Sequence, residues 1–225
     1  RGGLENHPDE ERSVFGLFRE RLFQGESQAI APVFRSVYEY NDSAEGIQRL
    51  QRMLANPDVE HLRVITLSHY LDPEALTEMI LGSDYLEQLE HLGLKVAHLR
   101  THHVEELATA SWFGNLRTID LYYNHHLDAS VFQTLWNIGL RQLEHLVLEG
   151  CEFGDEATRY LSQAPHFTSL HKLNLRNTLL RDDALVALSD SELLRSVQRL
   201  DLADNSFGAV GLRALMERTH LTELE

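Results

Sequence analysis

Apolar residues recur along this chain in a nine-residue frame, at its first, fourth and sixth places, and the frame is plainest in Leu116-Arg117-Thr118-Ile119-Asp120-Leu121-Tyr122-Tyr123-Asn124. The first place falls on Leu62, Leu89, Leu116, Leu143, Leu170 and Val197, and every subtraction from 89−62 to 197−170 returns 27. Within the frame, apolar residues two apart, such as Ile65 and Leu67 or Leu146 and Leu148, mark a strand with one buried face. After each frame the spacing changes to three and four, in Leu76 and Ile80, Val104 and Leu107, Val131 and Leu135, Leu185 and Leu188, and Leu212 and Leu215, which sets an apolar stripe on a helix. Each repeat is therefore expected to run strand, turn, helix, turn. One such unit cannot bury its own apolar face, so the units stack. Strands stack about 4.8 Å apart and helices are wider, so the stack curves. The predicted fold class is α/β: a solenoid with a curved parallel sheet on the concave side and helices on the convex side.

Two flanking regions modify this picture. Pro8 followed by Asp9, Glu10 and Glu11 has the chemistry of a helix start, and Val14, Phe15, Phe18 and Leu22 fall at helical spacing. A helix there would cap the apolar end of the stack. Stepping back 27 residues from Leu62 reaches Arg35, which would put Tyr38 and Tyr40 at the fourth and sixth places of a degenerate first repeat, with Ile47, Leu50 and Leu54 as its helical half. Asp42 with Glu45 reads as a helix start and Asn56-Pro57 as its end. The expected organisation is an N-terminal helical cap with the degenerate repeat over 1–58 and 27-residue repeats over 59–225, as one continuous domain.

The pattern L-x-x-L-x-L-x-x-N/C/T in Leu116 to Asn124, Leu143 to Cys151, Leu170 to Thr178 and Val197 to Asn205 resembles the leucine-rich repeat family. The long helical half is similar to the subclass of ribonuclease inhibitor and the leucine-rich GTPase-activating proteins. Leu200-Asp201-Leu202-Ala203-Asp204-Asn205, continuing through Gly208, Gly211 and Leu215, is similar to bacterial leucine-rich repeats. The resemblance implies a protein-binding solenoid. Tyr70 and Ala97 stand where the family places Asn, which implies a weaker hydrogen-bond ladder between the first two full repeats.

The charge narrows the partner. With 20 Lys+Arg against 35 Asp+Glu the net charge is −15, which repels phosphate backbones and anionic lipid, so neither nucleic acid nor membrane is expected as a partner. No apolar run approaches the ~18 residues of a membrane span. The single cysteine, Cys151, excludes an internal disulfide framework and fits a reducing, cytoplasmic compartment. A monomer is expected. Arg1 at the start, with no basic-then-apolar leader after it, suggests a processed protein or part of a longer regulatory or signalling protein.

In a strand whose first, fourth and sixth residues point inward, the second, third, fifth, seventh and eighth lie near the concave surface. These places hold six basic residues (Arg63, Lys95, Arg117, Lys172, Arg176, Arg199) and six acidic ones (Glu90, Asp120, Glu144, Glu149, Asp201, Asp204), so the concave face is near neutral and the acid excess lies elsewhere. The second place alternates Arg63, Glu90, Arg117, Glu144, the pattern of an exposed salt-bridge ladder. Tyr122 and Tyr123, beside Lys95 and Arg176, have the chemistry of an interface hot spot. Asp120, His145 and Glu149 complete the expected partner-binding set, although one tyrosine could instead pack over the strand end.

Other chemistry has thinner support. The turns hold His98, His102, His103, His125 and His126, which could approach one ion, but neither H-E-x-x-H nor C-x-x-C spacing is present. No G-x-S-x-G elbow or phosphate-binding glycine loop occurs, and Cys151 occupies the family's structural Asn/Cys place. The expected function is a non-catalytic scaffold binding a protein on its concave face, without cofactor or metal. The alternatives are a GTPase-activating or similar regulator, for which Arg176 or Asn177 would be the polar group, and a metal-binding protein using the histidine turns.

Overall fold

The computed structural model describes residues 36–40, 44–69, 72–161, 163, 165, 167–218 and 223–224. Eight parallel strands form one sheet in strict chain order: β1 (Ser36–Tyr40), β2 (Val64–Ser68), β3 (His91–Lys95), β4 (Thr118–Asp120), β5 (His145–Val147), β6 (Lys172–Asn174), β7 (Arg199–Asp201) and β8 (Glu223–Leu224). From β2 to β7 each partner is 27 residues on, as in Ile65↔Leu92, Leu92↔Ile119, Ile119↔Leu146, Leu146↔Leu173 and Leu173↔Leu200. β8 follows at a step of 24, pairing Leu224 with Leu200. Between the strands run helices α1 (Ala44–Leu54), α2 (Pro73–Leu81), α3 (Thr101–Leu107), α4 (Val131–Ile138), α5 (Ala157–Leu161), α6 (Asp182–Asp190) and α7 (Ala209–Arg218). The first, fourth and sixth places are buried from Leu62 to Leu202, and they meet the helical residues Leu76, Ile80, Val104, Leu107, Val131, Leu135, Leu185 and Leu188 in one continuous core.

Three expectations are corrected. In the degenerate repeat β1 pairs one residue off the expected register: Val37 lies opposite Ile65 and Glu39 opposite Leu67, so Tyr38 and Tyr40 do not hold the fourth and sixth places. A slip of one residue exchanges the two faces of a strand, and Tyr-x-Tyr alternates as regularly as Val-x-Glu, so the pattern alone could not set the face. Leu212, expected on the buried helical stripe, is 37% exposed, beside Val210 at 66% and Met216 at 69%. Its counterpart one repeat earlier, Leu185, is buried where α7 packs on α6; among the described residues no helix lies on the far side of α7. The expected cap helix from Pro8 and the helix start at Asp42 fall outside the described residues.

The third correction concerns the ladder, which is not weak at Ala97. Asn124, fully buried, accepts from the backbone N–H groups of Ala97 and Leu99 at 3.1 and 3.0 Å and donates to the carbonyls of Leu94 and Leu121 at 2.7 and 2.8 Å, so one side chain serves two turns. Asn205 does the same three repeats on, for Thr178, Leu180, Leu175 and Leu202. Between them the Cys151 thiol donates to the Leu121 carbonyl and the Thr178 hydroxyl to the Leu175 carbonyl.

What turns the ninth residue inward is a left-handed residue at the eighth place of every repeat: His69, Val96, Tyr123, Gly150, Asn177 and Asp204 have φ between +49 and +73. Each eighth-place N–H from His69 to Asn177 donates to the seventh-place carbonyl of the next strand, as in Val96 to Tyr122 and Gly150 to Arg176, so the ladder itself holds the conformation. Gly150 and Asn177 suit it; Val96, β-branched, is held there at a steric cost.

At the last helix the glycines of the bacterial-type pattern have a defined role. Asp182 on α6 accepts from the N–H groups of Gly208 and Gly211 at 2.7 and 2.9 Å, capping α7 from its neighbour. A Cβ at Gly211 would come within 2.8 Å of that carboxylate and 3.0 Å of the Leu185 Cβ, so glycine sets the close approach of the two helices.

Candidate functional site

The fifth place ends each strand in a recurring way. Asp120, Asn174 and Asp201 each accept, through a side-chain oxygen, from the backbone N–H two residues on, at 3.1, 2.9 and 3.0 Å. The seventh-place side chains, Lys95, Tyr122, Glu149 and Arg176, are thereby lined up across four strands at the carboxyl edge of the concave face. Lys95 Nζ lies 2.6 Å from Asp120 Oδ2 and 5.9 Å from the Tyr122 ring centre. Arg176 Nη2 contacts Asp204 Oδ2 at 2.5 Å, and its Nε lies 3.8 Å from Glu149, which also accepts from Asn174 Nδ2 at 3.0 Å. Six of the seven expected partner-binding residues thus form one patch: Lys95, Asp120, Tyr122, Tyr123, Glu149 and Arg176. The seventh, His145, is the third place of its frame and the first residue of β5, toward the opposite edge.

Within the patch the two tyrosines differ. Tyr123 lies on the backbone of Gly150, where a Cβ would meet its ring at 2.5 Å, and Asn177 Nδ2 approaches its hydroxyl at 3.5 Å. It is packing over the strand end. Tyr122 stacks on it with ring centres 4.4 Å apart and is itself half-buried, presenting a rigid aromatic surface between the two ion-paired cations. Its phenol is held above the ordinary value of 10.0, by burial first and then by Glu149, so it stays protonated.

The amino edge of the face has other contents. Arg63 pairs with Glu90 and Arg117 with Glu144 across neighbouring strands, the expected second-place ladder. At the third place His91 Nε2 lies 3.2 Å from Thr66 Oγ1. His91 titrates below its ordinary range, mainly by burial, against which Asp120 acts; His145 does so too, by burial and then by Lys172. The sequence carries a signal for this edge, a third place without acid from Val64 to Arg199, which a sum over all places of the face conceals.

Neither alternative chemistry gathers a site. His98 and His126 stack at 5.9 Å and His125 pairs with Glu152 at 3.3 Å, so the turn histidines do not converge on one point. Two of the five, His102 and His103, with ring centres 3.9 Å apart, do lie together, and with Glu74 they make the group with ligand-like spacing among the described residues. There His103, 1% exposed, accepts the Arg100 backbone N–H at Nδ1 (2.9 Å), which places its proton on Nε2, 3.3 Å from Glu74. A metal-binding histidine needs a lone pair on the nitrogen facing the ion and a proton to donate from the other; His103 has the reverse. Arg176, the candidate for a regulator's polar group, is engaged by two carboxylates. Burial pushes the Cys151 thiol up to about 12, so it is an inert structural thiol.

No protein-family model and no curated protein matches this sequence. Solved structures do. The complex of Rad7 and Elc1 in yeast matches with a TM-score of 0.58 at 16% identity, over 92% of this chain and 59% of that one, so the chain spans less than two thirds of that relative. A leucine-rich repeat protein of Leptospira interrogans matches with a TM-score of 0.42 at 15% identity, over 84% and 55% of the two chains. A TLR13–ssRNA13 complex matches with a TM-score of 0.41 at 18% identity, over 78% and 32%. At these identities the likeness concerns architecture. The 27-residue frame, the in-register parallel sheet and the inward ninth-place ladder make the fold a leucine-rich-repeat solenoid.

Proposed function

We propose that this leucine-rich-repeat solenoid is a non-catalytic scaffold that takes a protein partner on its concave face, centred on Tyr122. The observation that carries this is the combination of a half-exposed ring, fixed from behind by Tyr123 and Gly150, with flanking cations whose charges are already matched by Asp120, Glu149 and Asp204. A pre-set aromatic surface loses little side-chain entropy on binding, and matched charges leave packing and hydrogen bonds as the main attraction. In keeping with this, the similar Rad7 structure is of a complex with Elc1. The scaffold acts as a monomer in a reducing, cytoplasmic setting, where its one thiol stays reduced. No helix among the described residues is long and apolar enough to cross a membrane.

The test is capture of partners from native extract, followed by titration of the captured protein. Tyr122→Ala should weaken binding by at least ~2 kcal/mol without lowering the thermal midpoint. Unchanged affinity would remove Tyr122 from the interface, and a captured GTPase whose hydrolysis the scaffold accelerates would replace this proposal with the regulator.

A further inference from the structure

The concave face is near neutral in sum but not place by place. At the third place the register aligns Val64, His91, Thr118, His145, Lys172 and Arg199 across β2 to β7, a line with no acidic member until β8, where Glu223 lies opposite Arg199. At the other places Arg63, Lys95, Arg117 and Arg176 are each held by a carboxylate of a neighbouring repeat, whereas Lys172 makes no ion pair among the described residues. Exposed His171 immediately precedes it. We propose that this line seats an acidic segment of the protein partner, and that the segment binds more tightly as pH falls.

The proposal rests on the concave face being the binding face. His145 is faced by Arg117 and Asp120 from the β4 side, by His171 and Lys172 from the β6 side, and by Glu144 from its own strand; His91 is faced by Arg63, Asp120, Arg117, His145, Glu90 and Lys95. Each acid among them is paired with a cation, Glu90 with Arg63, Glu144 with Arg117 and Asp120 with Lys95, and the pull of Asp120 on a proton at His91 and of Glu144 on one at His145 is outweighed by the burial of the two rings. Protonating histidines in a line beside a lysine is unfavourable until an external anion arrives, and linkage then makes protons and acidic segment bind together. The acid excess elsewhere on a chain of net charge −15 repels the same segment from other surfaces, so charge selects this line. From β3 to β7 the line is four strand steps, roughly 19 Å, or about six residues of extended chain.

A dye-labelled peptide of about eight glutamates, long enough to cover that span, is titrated against the full chain near pH 5.8 and near pH 7.5 at one ionic strength. The peptide should bind at least roughly fivefold tighter at the lower pH, and Lys172→Gln with His145→Gln should weaken it about tenfold and flatten the pH dependence. His126→Gln, in an outer turn, should change neither value. Lys172→Gln alone, at an exposed position, carries the test if His145→Gln lowers stability. Equal affinity at the two pH values, no binding, an equal loss with His126→Gln, or tighter binding of a single-stranded RNA of the same length would overturn the proposal. The peptide has no aromatic side chain, so its behaviour reports on this line alone, while the captured partner and Tyr122→Ala report on the aromatic patch; either can fail without the other.

Discussion

The two edges of the concave face are built from the same strands and differ in almost everything else. At the carboxyl edge, places five to nine are tied down: side-chain caps at Asp120, Asn174 and Asp201, left-handed residues at every eighth place, the Asn124 and Asn205 ladders beneath, and ion pairs over the top. At the amino edge, places two and three carry exposed ion pairs, the half-buried His91 and His145, of which His91 meets Thr66, and the exposed Lys172. The carboxyl edge is where chain direction reverses and backbone groups must find new partners, so it has stability tied to particular residues. The amino edge is free to vary in charge, which suits it to setting partner preference.

The largest expected effect breaks the carboxyl edge. Asn124→Ala leaves the Ala97 and Leu99 N–H groups without their buried partner, removes a donor from the Leu94 carbonyl and leaves the Leu121 carbonyl to the Cys151 thiol, and should cost about 3 kcal/mol or more, seen as a lowered denaturation midpoint. A loss no larger than that of an exposed substitution would show that the Ala97 turn does not depend on its neighbour. Next, Gly150→Ala should cost about 2 kcal/mol, because its φ of +73 disfavours any Cβ and the Tyr123 ring stands in the way; Tyr122 binding should weaken with it, since the ring beneath must move. If stability falls and binding does not, Tyr123 is not the support of Tyr122.

At the amino edge the effects are smaller. His91 binds its proton below 6.5 in the folded chain and near it in the unfolded chain, so in the window between the two the unfolded state holds more protons. Its contribution to stability is present above pH 6.5 and is lost as pH falls through the folded value. His91→Gln should therefore flatten the decline of the midpoint between about pH 7.5 and about pH 5; an unaltered profile would assign the decline to other groups. Least of all, Arg117→Ala removes a partner from the exposed pair with Glu144 and should shift stability by only a few tenths of a kcal/mol, falling to nothing in high salt. A large loss there would erase the distinction between the edges.

The sequence alone determined the repeat, its 27-residue step, the buried places from Leu62 to Leu202 and the side of the sheet on which Tyr122, Lys95 and Arg176 gather, because burial follows periods of two and three to four residues that are written along the chain. It also pointed to one tyrosine as packing without saying which. Only the tertiary structure decided that Tyr123 is that residue, that Asn124 serves the Ala97 turn as well as its own, that β1 pairs through Val37, and that Arg63, Lys95, Arg117 and Arg176 each meet a carboxylate of a neighbouring repeat while Lys172 makes no ion pair among the described residues. Each of these depends on contacts between residues a repeat or more apart. A periodic pattern records which side of an element is apolar; it does not record which partner a polar group reaches across the gap.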